Sequence, residues 1–367
     1  MNRLNFTRDS LSVIKHGLFM RNLFNIDYLT YSEVGSLDAQ YPNIFVDSIT
    51  TGDRYHYSGI NNHLGYYLKT RLFEVELGYG FDYYESKNFG NNSYRDHYFN
   101  SSISLYKWRK FSFDNNFDIY LKGRKQGDIN QRFNASYIDS NWSVRVHTNF
   151  KVAEPTLRQE AYRGNNFEYV NNFDKMTQLE IGASGHYQND FMTLGLHATF
   201  QGNSKPVYWD SIAYKQFSGA ANYLKIGLTS QFKFWKMYNE LTVNYRYSSS
   251  DIIRVPSFEI NDRIYFKAPV FKSKKLVFMT GLGIRYYTGY KGYGFTPAMS
   301  EFYLSDQSVQ NYPNLDFFLG LNITKVNFYF KIENWNASFH KTSHYIAEGY
   351  PVRPAYFKLG LQWEFFN

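Results

Sequence analysis

The 367-residue chain has no Cys and a formal net charge of +8, which removes disulfides and thiolate metal sites from consideration. Its basic residues are spread without a run or recognised motif, so the charge does not point to nucleic acid. Aromatic residues are 20% of the chain and charged residues another 20%, the mean hydropathy is negative, and no window approaches ~18 consecutive apolar residues, which excludes a helical membrane span.

Residues 1 to 17 carry no clear period, and Met1-Asn2-Arg3 opens the chain without a basic-then-apolar leader; a secreted protein of this kind is then expected to have lost its leader or to derive from a longer precursor. A first strand is expected from about Leu18 to Thr30. A long loop follows over Tyr31 to Tyr55, marked by Gly35, Pro42 and Gly52. Ile60, Leu64, Tyr66 and Leu68 then share a face, with Asn62 the exception, up to a turn near Thr70. Arg71 to Tyr84 alternates without a break: Phe73, Val75, Leu77, Tyr79, Phe81 and Tyr83 on one side, Glu74, Glu76, Gly78, Gly80 and Asp82 on the other. A strand over Phe99 to Lys107 turns at Trp108-Arg109-Lys110 into Phe113, Phe117, Ile119 and Leu121. Strands over Arg132 to Ile138 and Trp142 to Val152 meet at Asp139-Ser140-Asn141.

After a loop from about Ala153 to Lys175, Leu179, Ile181, Ala183 and Tyr187 lead to the turn Gln188-Asn189-Asp190, and Met192, Leu194, Leu196, Ala198 and Phe200 lead back. Beyond Pro206, Leu224, Ile226, Leu228, Phe232 and Phe234 turn at Trp235 into Leu241, Val243, Tyr245 and Tyr247. Ile260, Ile264, Phe266 and Ala268 turn at Lys272 to Lys275 into Phe278, Leu282, Ile284 and Tyr286. A Gly/Tyr-rich loop spans Tyr290 to Tyr312. Leu315, Phe317, Leu319 and Leu321 turn at Thr324-Lys325 into Val326, Phe328, Phe330 and Ile332, and a last loop leads to the closing strand.

This pattern predicts about sixteen strands, within a range of roughly fourteen to eighteen, whose connections alternate between tight turns and longer loops. The fold class expected is all-β: one transmembrane antiparallel up-and-down barrel over residues 1–367, with a poorly defined segment at 1–17, short periplasmic turns and long external loops. A propeller or solenoid would show a fixed sequence repeat, and a sandwich would not alternate long with short connections. Lipid supplies the broad apolar partner that rows such as Phe73 to Tyr83 require.

A barrel of that size encloses water unless something plugs it, so its inward positions carry the function. On the early strands they are acidic: Glu74, Glu76, Asp82, Asp114 and Asp118, with Lys122 near the end. On the later strands they are basic: Lys225, Lys233, Arg246, Arg263, Lys267 and Arg285, with Glu240 the exception. The expectation is one basic patch facing an acidic wall, a transverse field that passes small zwitterions and polar sugars with a mild preference for anions. The alternative is that these charges pair with neighbours and only solvate the wall.

Other groups receive plainer readings. His340 and His344 are four apart with Glu348 the only carboxylate nearby, in a loop with Pro351, which favours a polar loop over a metal site. His63, His147, His186 and His197 fall on inward faces as polar wall residues. No catalytic serine, phosphate-loop or metalloprotease motif is present, so no enzymatic role and no cofactor is expected. The paired aromatics Tyr66-Tyr67, Tyr83-Tyr84 and Tyr286-Tyr287, with Trp108, Trp142, Phe234 and Trp235, suit an interfacial girdle, and Tyr290, Tyr293 and Tyr312 are candidates for stacking on carbohydrate.

The closing strand alternates Phe357, Leu359, Leu361, Trp363 and Phe365 against Lys358, Gly360, Gln362 and Glu364. It resembles the assembly signal of bacterial outer-membrane barrels, except that Phe365 and Phe366 are followed by Asn367. Together with the Tyr/Asn-rich strands and Lys-bearing tight turns from about Tyr55 onward, the Leu359-Gly360-Leu361-Gln362-Trp363 stretch resembles the putative porins of Bacteroidetes. That resemblance implies an outer-membrane channel. The expected function is passive diffusion of small hydrophilic solutes across the Gram-negative outer membrane; a plugged docking barrel within a larger complex is the alternative, and an outer-membrane enzyme a third. Partners expected are outer-membrane lipid, the barrel-assembly machinery, small polar solutes, and partner proteins or further copies of the chain.

Overall fold

A computed structural model describes residues 2–5, 14–35, 41–88, 90–273, 275–309, 311–339 and 345–364. Sixteen long strands follow in chain order: β1 Lys15–Val34, β2 Thr50–Lys69, β3 Phe73–Asn88, β4 Gly90–Trp108, β5 Phe111–Lys122, β6 Ile129–Ile138, β7 Trp142–Ala153 and β8 Met176–Gln188. The second half comprises β9 Met192–Ser204, β10 Ala220–Phe234, β11 Met237–Ser248, β12 Phe258–Pro269, β13 Leu276–Tyr287, β14 Asn314–Ile323, β15 Val326–Glu333 and β16 Tyr356–Trp363. Each pairs antiparallel with the next, so the sheet is one unbroken meander in sequence order. A short strand at Asn2–Asn5 lies along the outer edge of β1, opposite Gly17 to Met20. Among the described residues no ladder joins β16 to β1, and no helix is long and apolar enough to cross a membrane.

The period of two fixes which side chain faces which way. Leu77, Ile226, Leu282, Leu359 and Leu361 stand exposed in apolar rows on one face, while the charged residues of the same strands line the other. A sheet with one exposed apolar face and one wet face needs lipid on the first and water on the second. Trp108, Phe111, Trp142, Phe191, Trp235, Phe271 and Trp363 stand exposed at the short-turn end of the sheet, where amphipathic rings favour the headgroup level. The Tyr pairs divide: Tyr66 is exposed but Tyr67 is buried, and Tyr84 turns inward at 3% exposure. Adjacent strand residues point to opposite faces, so only one of each pair can belong to the girdle.

The sheet is taller on one side. β1 and β2 are twenty residues each and β4 nineteen, against eight for β15 and β16. Twenty residues at about 3.3 Å each span roughly 65 Å, well beyond an apolar band of about 25 Å. The expected loops therefore shrink: strand structure continues to Val34 and resumes at Thr50, and β3 runs on to Asn88 to meet β4 from Gly90. These extensions bury a mixed row on one face, Thr51, Asp53, Tyr55 and Ser86 among it, and expose polar residues on the other, so they lack the apolar alternation that marks the membrane-spanning part.

Three loops pack against the inner side of this raised wall. Residues 154–175 carry a capped helical turn, α1 Leu157–Glu160, and a hairpin of Ala161–Arg163 with Glu168–Val170. The expected Gly/Tyr-rich loop contains two strands, Tyr290–Thr296 and Glu301–Val309, which join Val207–Trp209 and Tyr214–Gln216 in a second, four-stranded sheet. Tyr162, Phe167, Tyr169, Trp209, Tyr214, Ala298 and Met299 form its buried core together with Tyr55 of β2, and Leu29, Tyr31 and Tyr57 of the wall pack against it. Trp209 Nε1 donates to Thr296 Oγ1 at 3.0 Å, giving the buried indole the partner it needs.

Two loops are clamped by charge. Lys175 donates to Asp128 Oδ1 at 2.6 Å and to the Gln126 carbonyl at 2.6 Å, while Asp128 also accepts from the Glu154 amide at 3.1 Å. Burial pushes the Asp128 carboxyl above the usual carboxylate range, so the Lys175 ammonium is what keeps a charge there tolerable.

Three substitutions test this architecture. Leu77→Arg and Ile226→Arg should each cost about 2–4 kcal/mol if the sites lie near the bilayer midplane, read as a lowered unfolding midpoint in lipid vesicles. Lys175→Met should cost roughly 2 kcal/mol, less than the ~3–5 of a fully buried pair because Lys175 is partly exposed; faster protease nicking within 123–128 and 154–175 is the readout.

Candidate solute pathway

The inward register of every strand is polar, and the structure shows how its charges are arranged. On the early wall, Glu74 accepts from Lys69 at 2.9 Å and from the Tyr106 hydroxyl, and Glu76 pairs with Arg21. Asp82 is 2% exposed and takes a bond from Tyr120 at 3.3 Å, with Lys125 Nζ 3.8 Å away. Asp114 is held by Asn134 at 2.9 Å. Asp118 is held by Asn100 at 2.5 Å and Asn130 at 3.0 Å. All five acids stand on the polar face of the sheet, each in a hydrogen bond.

On the late wall the six expected basic residues share one face over four strands, as the register requires. They do not form a bare basic patch. Arg246 pairs with Glu259, and Arg263 with Glu240; Arg285 reaches Asp316 at 3.4 Å. Lys331 lies 3.2 Å from Asp316 and 2.7 Å from Glu333, and Lys358 lies 2.9 Å from Glu333. The result is a ladder of cross-strand ion pairs in two parts, one joining β11 to β12 and one running from β13 to β16. Lys225, Lys233 and Lys267 have no ion pair among the described residues. Glu259, Asp316 and Glu333 escaped the sequence reading, although their alternation with Phe258, Phe317 and Ile332 placed them inward.

A depression of about 780 Å³ lies in this part of the wall. Glu240, Arg263, Arg285, Asp316 and Lys331 contribute charges of both signs, Thr242 and Asn261 neutral hydrogen-bonding groups, and Phe318 and Tyr329 rings. Gly283 and Gly320 supply no side chain there, which leaves the room. Such a lining can hold a small solute that carries both charges or many hydroxyls. Among the described residues no cluster of His, Asp and Glu could hold a metal ion. His340 and His344 lie outside the described residues.

The inward histidines do structural work. The ring of His63 lies over Gly78, that of His147 over Gly182 and that of His197 over Gly227, and Tyr98 and Tyr329 cover Gly80 and Gly360 in the same way. Each glycine is needed because a Cβ would occupy the space of the ring on the next strand. Tyr312 is buried and Tyr293 accepts from the Arg254 amide at 2.9 Å, so these two loop tyrosines are engaged in packing. Gly80→Val should displace the Tyr98 ring and cost about 1–3 kcal/mol, measured as a lowered unfolding midpoint, with Gly185→Val, where the space is open, as the mild control.

Phe357, Leu359, Leu361 and Trp363 form an exposed apolar row on β16; Phe365 lies outside the described residues. Comparison with known proteins agrees with this wall. The profile of the family described as "Putative porin" matches residues 13–367. No curated protein matches the chain. Among solved structures, the FrpB iron transporter from Neisseria meningitidis is similar at 11% identity and a TM-score of 0.61, over 98% of this chain and 62% of that one. The siderophore receptor PirA from Acinetobacter baumannii is similar at 13% identity and a TM-score of 0.62, over 96% and 60%. The copper transporter OprC is similar at 6% identity and a TM-score of 0.61, over 95% and 62%. The chain thus spans about three fifths of the length of these structures, and at such identities the likeness concerns the fold. By its family match and its fold, the chain belongs to the putative porin family and is located in the Gram-negative outer membrane.

Proposed function

We propose that the sheet closes into a transmembrane barrel and that its lumen is a passive pathway for small hydrophilic solutes. The observation that carries this reading is the solvent exposure of the ion-pair ladder. The side chains of Arg263, Arg285 and Lys358 are 52%, 50% and 45% exposed on strands whose opposite face is apolar. Charges at that depth are tolerated only where they face water. On this reading the short turns are periplasmic and the loops external, and the packed loop core narrows the outer mouth. The apolar row from Phe357 to Phe365 would engage the barrel-assembly machinery. Copies of the chain or other proteins are further partners to test.

The loop core also favours a second reading, a barrel plugged at one end that serves as a docking element. Planar-bilayer conductance separates the two. The pathway predicts discrete conductance steps; their absence, with stable copurification of another protein, would reverse the ranking.

Selectivity follows from the ladder. Lys225, Lys233 and Lys267 are its unpaired surplus, which gives a mild preference for anions, weakened by salt because the Debye length is only about 8 Å near physiological ionic strength. Changing Arg246, Arg263 and Arg285 to Gln removes the cations paired with Glu259 and Glu240 and one of the two beside Asp316, which keeps Lys331, so the reversal potential in a salt gradient should move toward cation preference. An unchanged reversal potential would mean that the ladder does not border the constriction.

A further inference from the structure

A second pocket, of about 570 Å³, lies at the loop end between the raised wall and the loops. Its wall side is formed by Asp27 of β1, Tyr55 and Tyr57 of β2 and Tyr84 of β3. Its loop side is formed by Arg124 and Lys125, which follow β5, by Thr156 and Arg158 around α1, and by Ser300. Three segments far apart in sequence thus meet to enclose one concave space.

The lining has a distinct chemistry. Three cations and a single carboxylate border the space, accompanied by tyrosine, threonine and serine hydroxyls. Arg124 pairs with Glu160 at 2.7 Å, and Arg158 pairs with Glu301 and donates to the Met299 carbonyl at 2.9 Å. These bonds hold the two guanidinium groups in place and use only part of each five-donor fork. Lys125 differs. Its backbone amide is anchored to Asp96 at 3.1 Å, and its ammonium forms ion pairs with the buried carboxylates of Asp82 and Asp96 at 3.8 and 3.9 Å, too long for hydrogen bonds. That ammonium rests 5.0 and 5.1 Å from the ring centres of Tyr84 and Tyr120 and has no hydrogen-bond partner among the described residues. A positioned ammonium with free donors, beside two oriented guanidinium groups, is a receptor for a carboxylate. The tyrosine, Thr156 and Ser300 hydroxyls and the Asp27 carboxylate suit the hydroxyls of the same molecule, since a carboxylate beside a hydroxyl donor or acceptor can satisfy both lone pair and proton.

We propose that this pocket binds a polyhydroxylated carboxylate, a compound of the uronic-acid sugar class, at the mouth of the lumen. The volume falls within the range of small-molecule sites and accommodates a disaccharide. The proposal rests on the pathway reading only for the direction from which the ligand arrives.

Isothermal titration of the full chain in detergent tests it without any transport step. Digalacturonate should bind, neutral cellobiose should bind much more weakly, and inorganic phosphate should not compete. Lys125→Gln and, separately, Tyr57→Phe, which removes only a hydroxyl, should each weaken digalacturonate binding about tenfold, the effect of losing roughly one hydrogen bond to a charged or polar group. No binding of digalacturonate, equal binding of cellobiose, competition by phosphate, or unchanged affinity in both variants would overturn the assignment. A protein that binds digalacturonate yet conducts nothing would sink the pathway and leave the pocket; one that conducts yet binds none would do the reverse.

Discussion

A backbone amide or carbonyl left unpaired in hydrocarbon costs several kcal/mol, and the rest of this structure depends on that constraint. It forces every strand from β2 to β15 to bond on both sides, and it makes the meander the simplest arrangement, because each strand finds its partner through the shortest turn. The same constraint acts on the two outer edges. Asn2–Asn5 covers only Gly17 to Met20 of β1, and the far edge of β16 has no ladder among the described residues. Closing the sheet, as proposed above, would satisfy those edges in a bilayer.

Once pairing fixes the register, the period of two separates lipid from water, and a second division of labour follows along the strand axis. The strands that only span the membrane are short. β1 to β4 continue past it and give the loops a surface to fold on. The buried aromatic core of the loops, with Trp209 and Tyr162 at its centre, therefore needs no separate domain: it borrows Tyr55, Tyr57, Leu29 and Tyr31 from the wall. Charge follows the same logic. On the polar face of the sheet the carboxylates and cations are placed on neighbouring strands, as Glu240 and Arg263 are, so that water and a partner share the task of stabilising each.

Much of this was legible in the sequence because alternation is a local signal. Phe73 to Tyr83 declared the apolar face and Glu74 to Asp82 the polar face, and the turns at Trp108-Arg109-Lys110 and Thr324-Lys325 fell where the strands end. What was hidden depends on cross-strand neighbours. That Arg285 would meet Asp316 follows from the register of β13 on β14, which no single strand reveals, so a ladder of pairs looked like a basic patch. The extension of β3 to Asn88 was hidden because Glu85, Ser86 and Lys87 are polar on both faces, although Ser86 is buried, and show no apolar alternation. The loop core was hidden because its aromatics, such as Trp209 and Tyr214, sit in short hairpins whose partners lie far along the chain.

The central claim is closure, and disulfide trapping tests it most directly. The chain has no native Cys, so Leu359→Cys can be combined in turn with Asn22→Cys, Phe24→Cys and Ile26→Cys on the uncovered edge of β1. Leu359→Cys with Phe330→Cys, which face each other across β15 and β16, serves as the positive control. Closure predicts that one of the three combinations oxidises in native membranes as readily as the control, since directly opposed strand residues bring their Cβ atoms within bonding reach. If the control forms its disulfide and none of the three does, the edges of β1 and β16 do not meet and the closed barrel is contradicted.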